Sequence, residues 1–164
     1  LLKNLIDVEN SVKRKYPLQD RGKHRRFVLK CEGELLDKLK ARLFTRFKEK
    51  VDLLLENIGK DYDSWTGIEP LREMDESTLK IKKESSKKFK EGLTLSHGRK
   101  YIKVMENNRV WGFIAVTDGV LKGIPYKFGD VFKAASWRAP AKHVRGSIYL
   151  DRTDWFHWTG PMYI

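Results

Sequence analysis

The chain has 164 residues, 40% hydrophobic and 12% aromatic, enough for a core in one domain or two small lobes, which excludes a disordered chain despite 34% charged residues. Its formal net charge of +12 attracts polyanions (nucleic acid, an acidic protein face, an anionic membrane) and says nothing about fold. The single cysteine, Cys31, excludes an internal disulfide and cysteine-built metal sites, and fits a reducing compartment.

Residues 1–16 place Leu1, Leu5, Val8 and Val12 on one face and predict a helix. The opening Leu1–Ile6 is broken by charge and followed by no cleavage-like site, so it does not read as a signal peptide. A start without methionine reads as a trimmed piece. No apolar run nears the roughly 18 residues that a membrane-spanning helix needs. In residues 11–30 Pro17 and Gly22 break regular structure, and eight Lys/Arg stand against one acid. This first basic cluster, with Arg25 and Arg26, reads equally as a solvated linker and as a polyanion contact.

Residues 34–58 carry the clearest pattern. Leu36, Leu39, Leu43, Phe47, Val51, Leu54 and Ile58 recur at three- and four-residue steps and predict a long amphipathic helix, capped by Gly59. Its stripe is expected in the core, with a dimer seam as the lesser use. Residues 51–76 are acidic. Within them "DYDSWTGIEP" lacks the ligand spacing of a calcium loop and reads as a loop with Trp65 anchored in the core. The Lys-rich stretch 77–98 fits neither helix nor strand well and is expected to connect a helical part, 1–76, to a β-rich part, 99–164.

From Arg99 onward the pattern is that of short strands. "KYIKV" alternates, setting Tyr101 and Lys103 on one face and Ile102 and Val104 on the other. Asn107-Asn108 reads as a turn, and Asp118-Gly119 as the strongest hairpin signal. Five or six strands with turns between them predict a small twisted sheet or partly open barrel, so the fold class is α+β.

Several chemistries are missing from the sequence. There is no GxxxxGK[ST], GxGxxG, HExxH or GxSxG pattern, and His24, His97, His143 and His157 stand far apart. No cofactor and no metal are expected. What stands out is residues 127–149, "KFGDVFKAASWRAPAKHVRGSIY", where Lys133, Arg138, Lys142, His143 and Arg145 surround Trp137. Cations neutralise phosphates and exposed rings stack on unpaired bases, so this mixture is that of a single-strand binder. Pro140 and Gly146 read as loop punctuation. The competing reading buries the rings as core. A catalytic version pairs His143 with Asp130, with His157 as a second acid/base, at a phosphodiester.

The motif Ser136-Trp137-Arg138-Ala139-Pro140-Ala141-Lys142-His143 with Arg145-Gly146, followed by "WTGPMYI", resembles the C-terminal portion of uncharacterised proteins of tailed bacteriophages, over about residues 110–164. The resemblance implies a phage protein working in the host cytoplasm, and it assigns no activity to any residue. The expectation is a non-catalytic nucleic-acid-binding protein, DNA or RNA, using Lys133, Trp137, Arg138, Lys142, His143, Arg145, Arg25 and Arg26. The alternatives are an inhibitor or adaptor that docks an acidic host protein, and a phosphodiester-cleaving enzyme built on His143. No membrane partner is expected.

Overall fold

The computed structural model describes residues 21–163, with side chains from Lys30 onward, so the helix expected at 1–16 lies outside the described residues. The chain divides into two compact units, residues 1–46 and 47–164. One helix, α1 (Arg21–Thr66), runs through both.

α1 is longer than the apolar stripe predicts. Gly22 and Gly59, expected as breaker and cap, both lie inside it. A helical glycine costs about 1 kcal/mol relative to alanine, and Gly59 has a use that offsets this. A Cβ there would sit 3.1 Å from Lys90 Cε, so the bare backbone makes room for the Lys90 stem. The stop comes at Gly67, whose φ of 78° suits glycine. There Ile68 N–H donates to Asp63 O at 3.0 Å and Gly67 N–H to Ser64 O at 3.2 Å, the two bonds of a Schellman cap.

In the first unit, Leu36, Leu43 and Phe44 of α1 are exposed. In the second, Phe47, Val51, Leu54 and Ile58 are buried. The core reading of the stripe therefore holds from Phe47 onward and not before it. The loop expected at "DYDSWTGIEP" begins as the last turns of α1. Trp65, expected in the core, is 62% exposed: helical spacing keeps it on the face of Ile58 and Tyr62, but it stands in the last turn of α1, where its ring meets Tyr62 and Trp158 at the rim.

The Lys-rich stretch forms a second helix, α2 (Glu76–Glu91). Its start is fixed by Asp75, which accepts from Thr78 N–H at 2.9 Å, from Thr78 Oγ1 at 2.6 Å and from the Ser77 hydroxyl. Two lysines clamp it to α1. Lys90 Nζ donates to the buried Asp63 at 2.5 Å, beside a bond from the Ser86 hydroxyl to the same carboxylate. Lys82 Nζ donates to Thr66 O at 2.7 Å, satisfying a carbonyl at the end of α1. Tyr62 stacks on Phe89 with centroids 4.1 Å apart.

Among the described residues nine strands follow: β1 (Leu93–His97), β2 (Tyr101–Glu106), β3 (Arg109–Ala115), β4 (Gly119–Leu121), β5 (Ile124–Tyr126), β6 (Asp130–Ala134), β7 (Pro140–Ser147), β8 (Phe156–His157) and β9 (Gly160–Pro161). Five of them form one sheet in the order β1-β2-β3-β6-β7, with every neighbour antiparallel. The fold is α+β and the sheet is open, with β1 and β7 as its edges. Asn107, at φ 50°, turns β2 into β3 as its sequence predicts. Asp118-Gly119 is not the hairpin turn. The β4–β5 turn is Lys122-Gly123, at φ 48° and 83°. Asp118 instead accepts from Phe128 N–H at 2.7 Å, which closes the base of that insertion.

The sheet has two apolar faces, and strand alternation sorts the side chains between them. Ile102, Ile114 and Val131 lie opposite one another on the face that packs against α1 and α2. Tyr101, Phe113 and Phe132 lie on the other face, with Tyr126 of β5. Among the described residues no helix is long and apolar enough to cross a membrane.

Candidate functional site

β6 and β7 are joined by a tight turn. The N–H groups of Ala135 and Ser136 both donate to Ala139 O, at 3.0 and 3.2 Å, and Arg138 N–H donates to Ser136 Oγ at 3.3 Å. Neither Trp137 nor Arg138 is drawn into the core; Trp137 is 50% exposed. Lys103 Nζ lies 4.6 Å from the Trp137 ring centroid, a cation–π contact between β2 and the turn. Next along the edge strand β7, Lys142 and His143 are exposed. Trp137 thus points outward, with Lys103 as the cation against its ring.

A second cluster uses other residues. Lys133 pairs with Gly112, one position along β6 from the Phe132–Phe113 pair, so it points to the opposite face from Lys103, the partner of Phe113. On that face β9 crosses Gly112, where a Cβ would stand 3.2 Å from Pro161 Cγ. The chain then brings Tyr163 over β6 and β7. Lys133 Nζ lies 4.3 Å and the Arg145 guanidinium 4.8 Å from the Tyr163 ring centroid. Arg145 is only 9% exposed, and its Nε has no hydrogen-bond partner. The single surface expected around Trp137 is therefore divided by the sheet. Lys103 belongs with Trp137, and Lys133 and Arg145 belong with Tyr163.

β7 also changes the reading of two punctuating residues. Pro140 and Gly146 are strand residues rather than loop residues. At Gly146 a Cβ would lie 2.2 Å from Trp155 Cδ2, so this glycine seats the Trp155 ring on the helix-facing side of the sheet.

The catalytic pairing of His143 with Asp130 does not form. Asp130 lies opposite Ser147, four residues along β7 from His143, roughly 13 Å of extended strand. Its carboxylate accepts from Lys127 N–H at 2.7 Å, and burial pushes its pKa above the usual carboxylate range. A histidine–carboxylate pair exists elsewhere: His157 Nδ1 stands 3.5 Å from Asp61 Oδ1. The other oxygen of Asp61 accepts from Trp158 N–H at 2.6 Å, so this aspartate ties the β8–β9 turn to α1. Beside it a cleft of about 350 Å³ is lined by Tyr62, Trp65, Phe89, Glu106 and Trp158. Among the described residues no group of three His, Cys, Asp or Glu is placed to hold a metal ion.

Arg25 and Arg26 fall in the first turns of α1, and their side chains are outside those described. Lys103 and Tyr163 are the members that sequence reading missed. Lys103 was legible as an outward residue of an alternating strand, but its partner ring was not. Tyr163 carries no local signal, since its role depends on where β9 crosses the sheet.

The profile of a family of unknown function (DUF7717) matches residues 14–164. No curated protein and no solved structure matches the chain.

Proposed function

We propose, for a chain that belongs to this family of unknown function, that it binds single-stranded nucleic acid without catalysis along the β6–β7 turn and the β7 edge. One observation carries this reading. A half-exposed indole, Trp137, is held at the tip of a hydrogen-bonded turn by a cation, Lys103, and is followed along an open edge by exposed cations. A ring so placed offers a face to a base, and such stacking contributes about 1–3 kcal/mol per base. Arg138 and Lys142 neutralise phosphates on either side of the stacked base. The net charge of +12 supplies the long-range attraction. On this reading the protein works in the cytoplasm, and the phage resemblance makes that the cytoplasm of an infected host.

Fluorescence anisotropy with labelled single-stranded and duplex DNA and RNA, at low and near-physiological salt, tests it. Binding of single strands that persists at the higher salt, with the oligonucleotide intact afterwards on a denaturing gel, is the expected result. Attraction that vanishes above low salt overturns it and leaves the basic edge to an acidic protein partner.

A further inference from the structure

The Tyr163 cluster poses a separate physical problem. Arg145 carries a permanent charge, yet it is about nine-tenths buried. A buried cation is tolerated when a counter-charge or a full set of acceptors surrounds it. Among the described residues no carboxylate forms an ion pair with Arg145, and its Nε is buried without an acceptor. A second cation, not an anion, shares its surroundings: Lys133 leans on the same Tyr163 ring. A ring face offsets part of the cost of one cation, and here one ring serves two.

The backbone aims Arg145 at this place. Val131 pairs with Gly146 and Phe132 pairs with Val144, so Arg145 is the extra residue of a β-bulge on β7. Bulges re-aim a side chain at the cost of a ladder bond. Its neighbour Gly146 is fixed by the Trp155 ring, which holds the bulge in register. A long charged side chain on an edge strand would ordinarily reach solvent, and this one is turned inward instead.

We infer that Lys133 and Arg145 form the seat of a phosphoryl dianion, either free phosphate or the terminal phosphate of a chain. Two fixed positive charges match the nearly two negative charges of a phosphomonoester at neutral pH. The guanidinium supplies directional donors and the ammonium a compact charge. The seat does not depend on polynucleotide binding at Trp137, because it lies on the other side of the sheet from Lys103.

The test uses the full chain with inorganic phosphate at constant ionic strength, made up with sodium chloride. The thermal midpoint of the wild-type chain rises saturably with phosphate, as for any ligand that binds only the folded state. Lys133→Gln, at a half-buried position on β6, folds normally and needs roughly 10-fold more phosphate or greater for the same shift. Arg145→Met loses the shift, while Arg138→Gln keeps it. A wild-type response no larger than that to chloride overturns the seat, as does a full response in Lys133→Gln. Oligonucleotides with and without a 5′ phosphate separate the two sources. Tighter binding of the phosphorylated strand, lost in Lys133→Gln, assigns the seat to a chain end; equal binding of the two strands, with the phosphate shift intact, assigns it to free phosphate. A phosphate shift without any oligonucleotide binding keeps the seat and rejects the single-strand reading.

Discussion

Gly146 and Trp137 show what a single residue decides in β7 and the turn before it. At Gly146 a methyl group would enter the Trp155 ring, which is itself packed in the core. Gly146→Ala is expected to cost about 1–3 kcal/mol, the usual range for overpacking, read as an earlier denaturant midpoint with an unchanged slope. Trp137 is the opposite case. Its ring is half exposed, so Trp137→Ala should leave stability within about 0.5 kcal/mol. The same change is expected to weaken single-strand binding by roughly 5- to 100-fold and duplex binding far less. Equal weakening of both would reject stacking. Trp137 was legible in the sequence because it sits among cations and turn-formers. Gly146 was not, because its reason for being glycine is a tryptophan nine residues later that meets it only in space.

The helices were legible in proportion to how much of their stability is local. The stripe from Phe47 to Ile58 repeats at helical spacing and was read correctly as core. α2 was missed because its own face is weak: Ser86 and Phe89 are its buried residues. Its order comes from tertiary bonds to α1 and from the Asp75 cap, and the Asp75–Glu76–Ser77–Thr78 signal was present but masked by the lysines around it. Removing the Asp63 carboxylate tests the clamp. Asp63→Ala strands the Ser86 hydroxyl and Lys90 and is expected to cost about 1–3 kcal/mol, with Asp63→Asn milder because it retains an acceptor for Ser86. The cap has a pH signature. Hydrogen bonds from the Ser77 and Thr78 hydroxyls and from Thr78 N–H hold the Asp75 carboxyl well below its ordinary value. A carboxylate with a lowered folded pKa stabilises fully above its unfolded value, near 4, and that support drains away as pH falls below it. Asp75→Ala should therefore flatten the loss of stability between about pH 5 and pH 3. An unchanged acid limb would mean the cap contributes nothing.

For the whole molecule, charge and topology carry different information. Composition gave the polyanion attraction but could not say which cations act together. Strand alternation separates Lys103 from Lys133, and only the register makes that visible. A single continuous patch would lose affinity in step whichever of its lysines or arginines was removed. A divided one predicts otherwise. With Arg138 and Lys142 as the phosphate contacts, the logarithm of single-strand affinity should fall with the logarithm of salt at a slope of about −1.4. Arg138→Gln should reduce that slope by about 0.7, and Lys133→Gln should leave it unchanged for a strand without a terminal phosphate. The α+β class and a small open sheet were readable from the shift in pattern at Arg99, although the sheet already begins at β1, inside the stretch 77–98 expected as a connector. The location of Tyr163 was not, since β9 reaches the sheet through a crossing that no local spacing encodes.

The tilt of Trp65 against Trp158, with centroids 4.8 Å apart and planes at 45°, gives the protein an optical reporter of its own. Two indoles that close and not parallel couple their electronic transitions, which produces a band of paired sign in far-ultraviolet circular dichroism. One indole rides on the last turn of α1 and the other on the β8–β9 turn, so the band exists only while those segments are docked. Its disappearance ahead of the helical signal during heating would time the release of that edge from the rest of the fold.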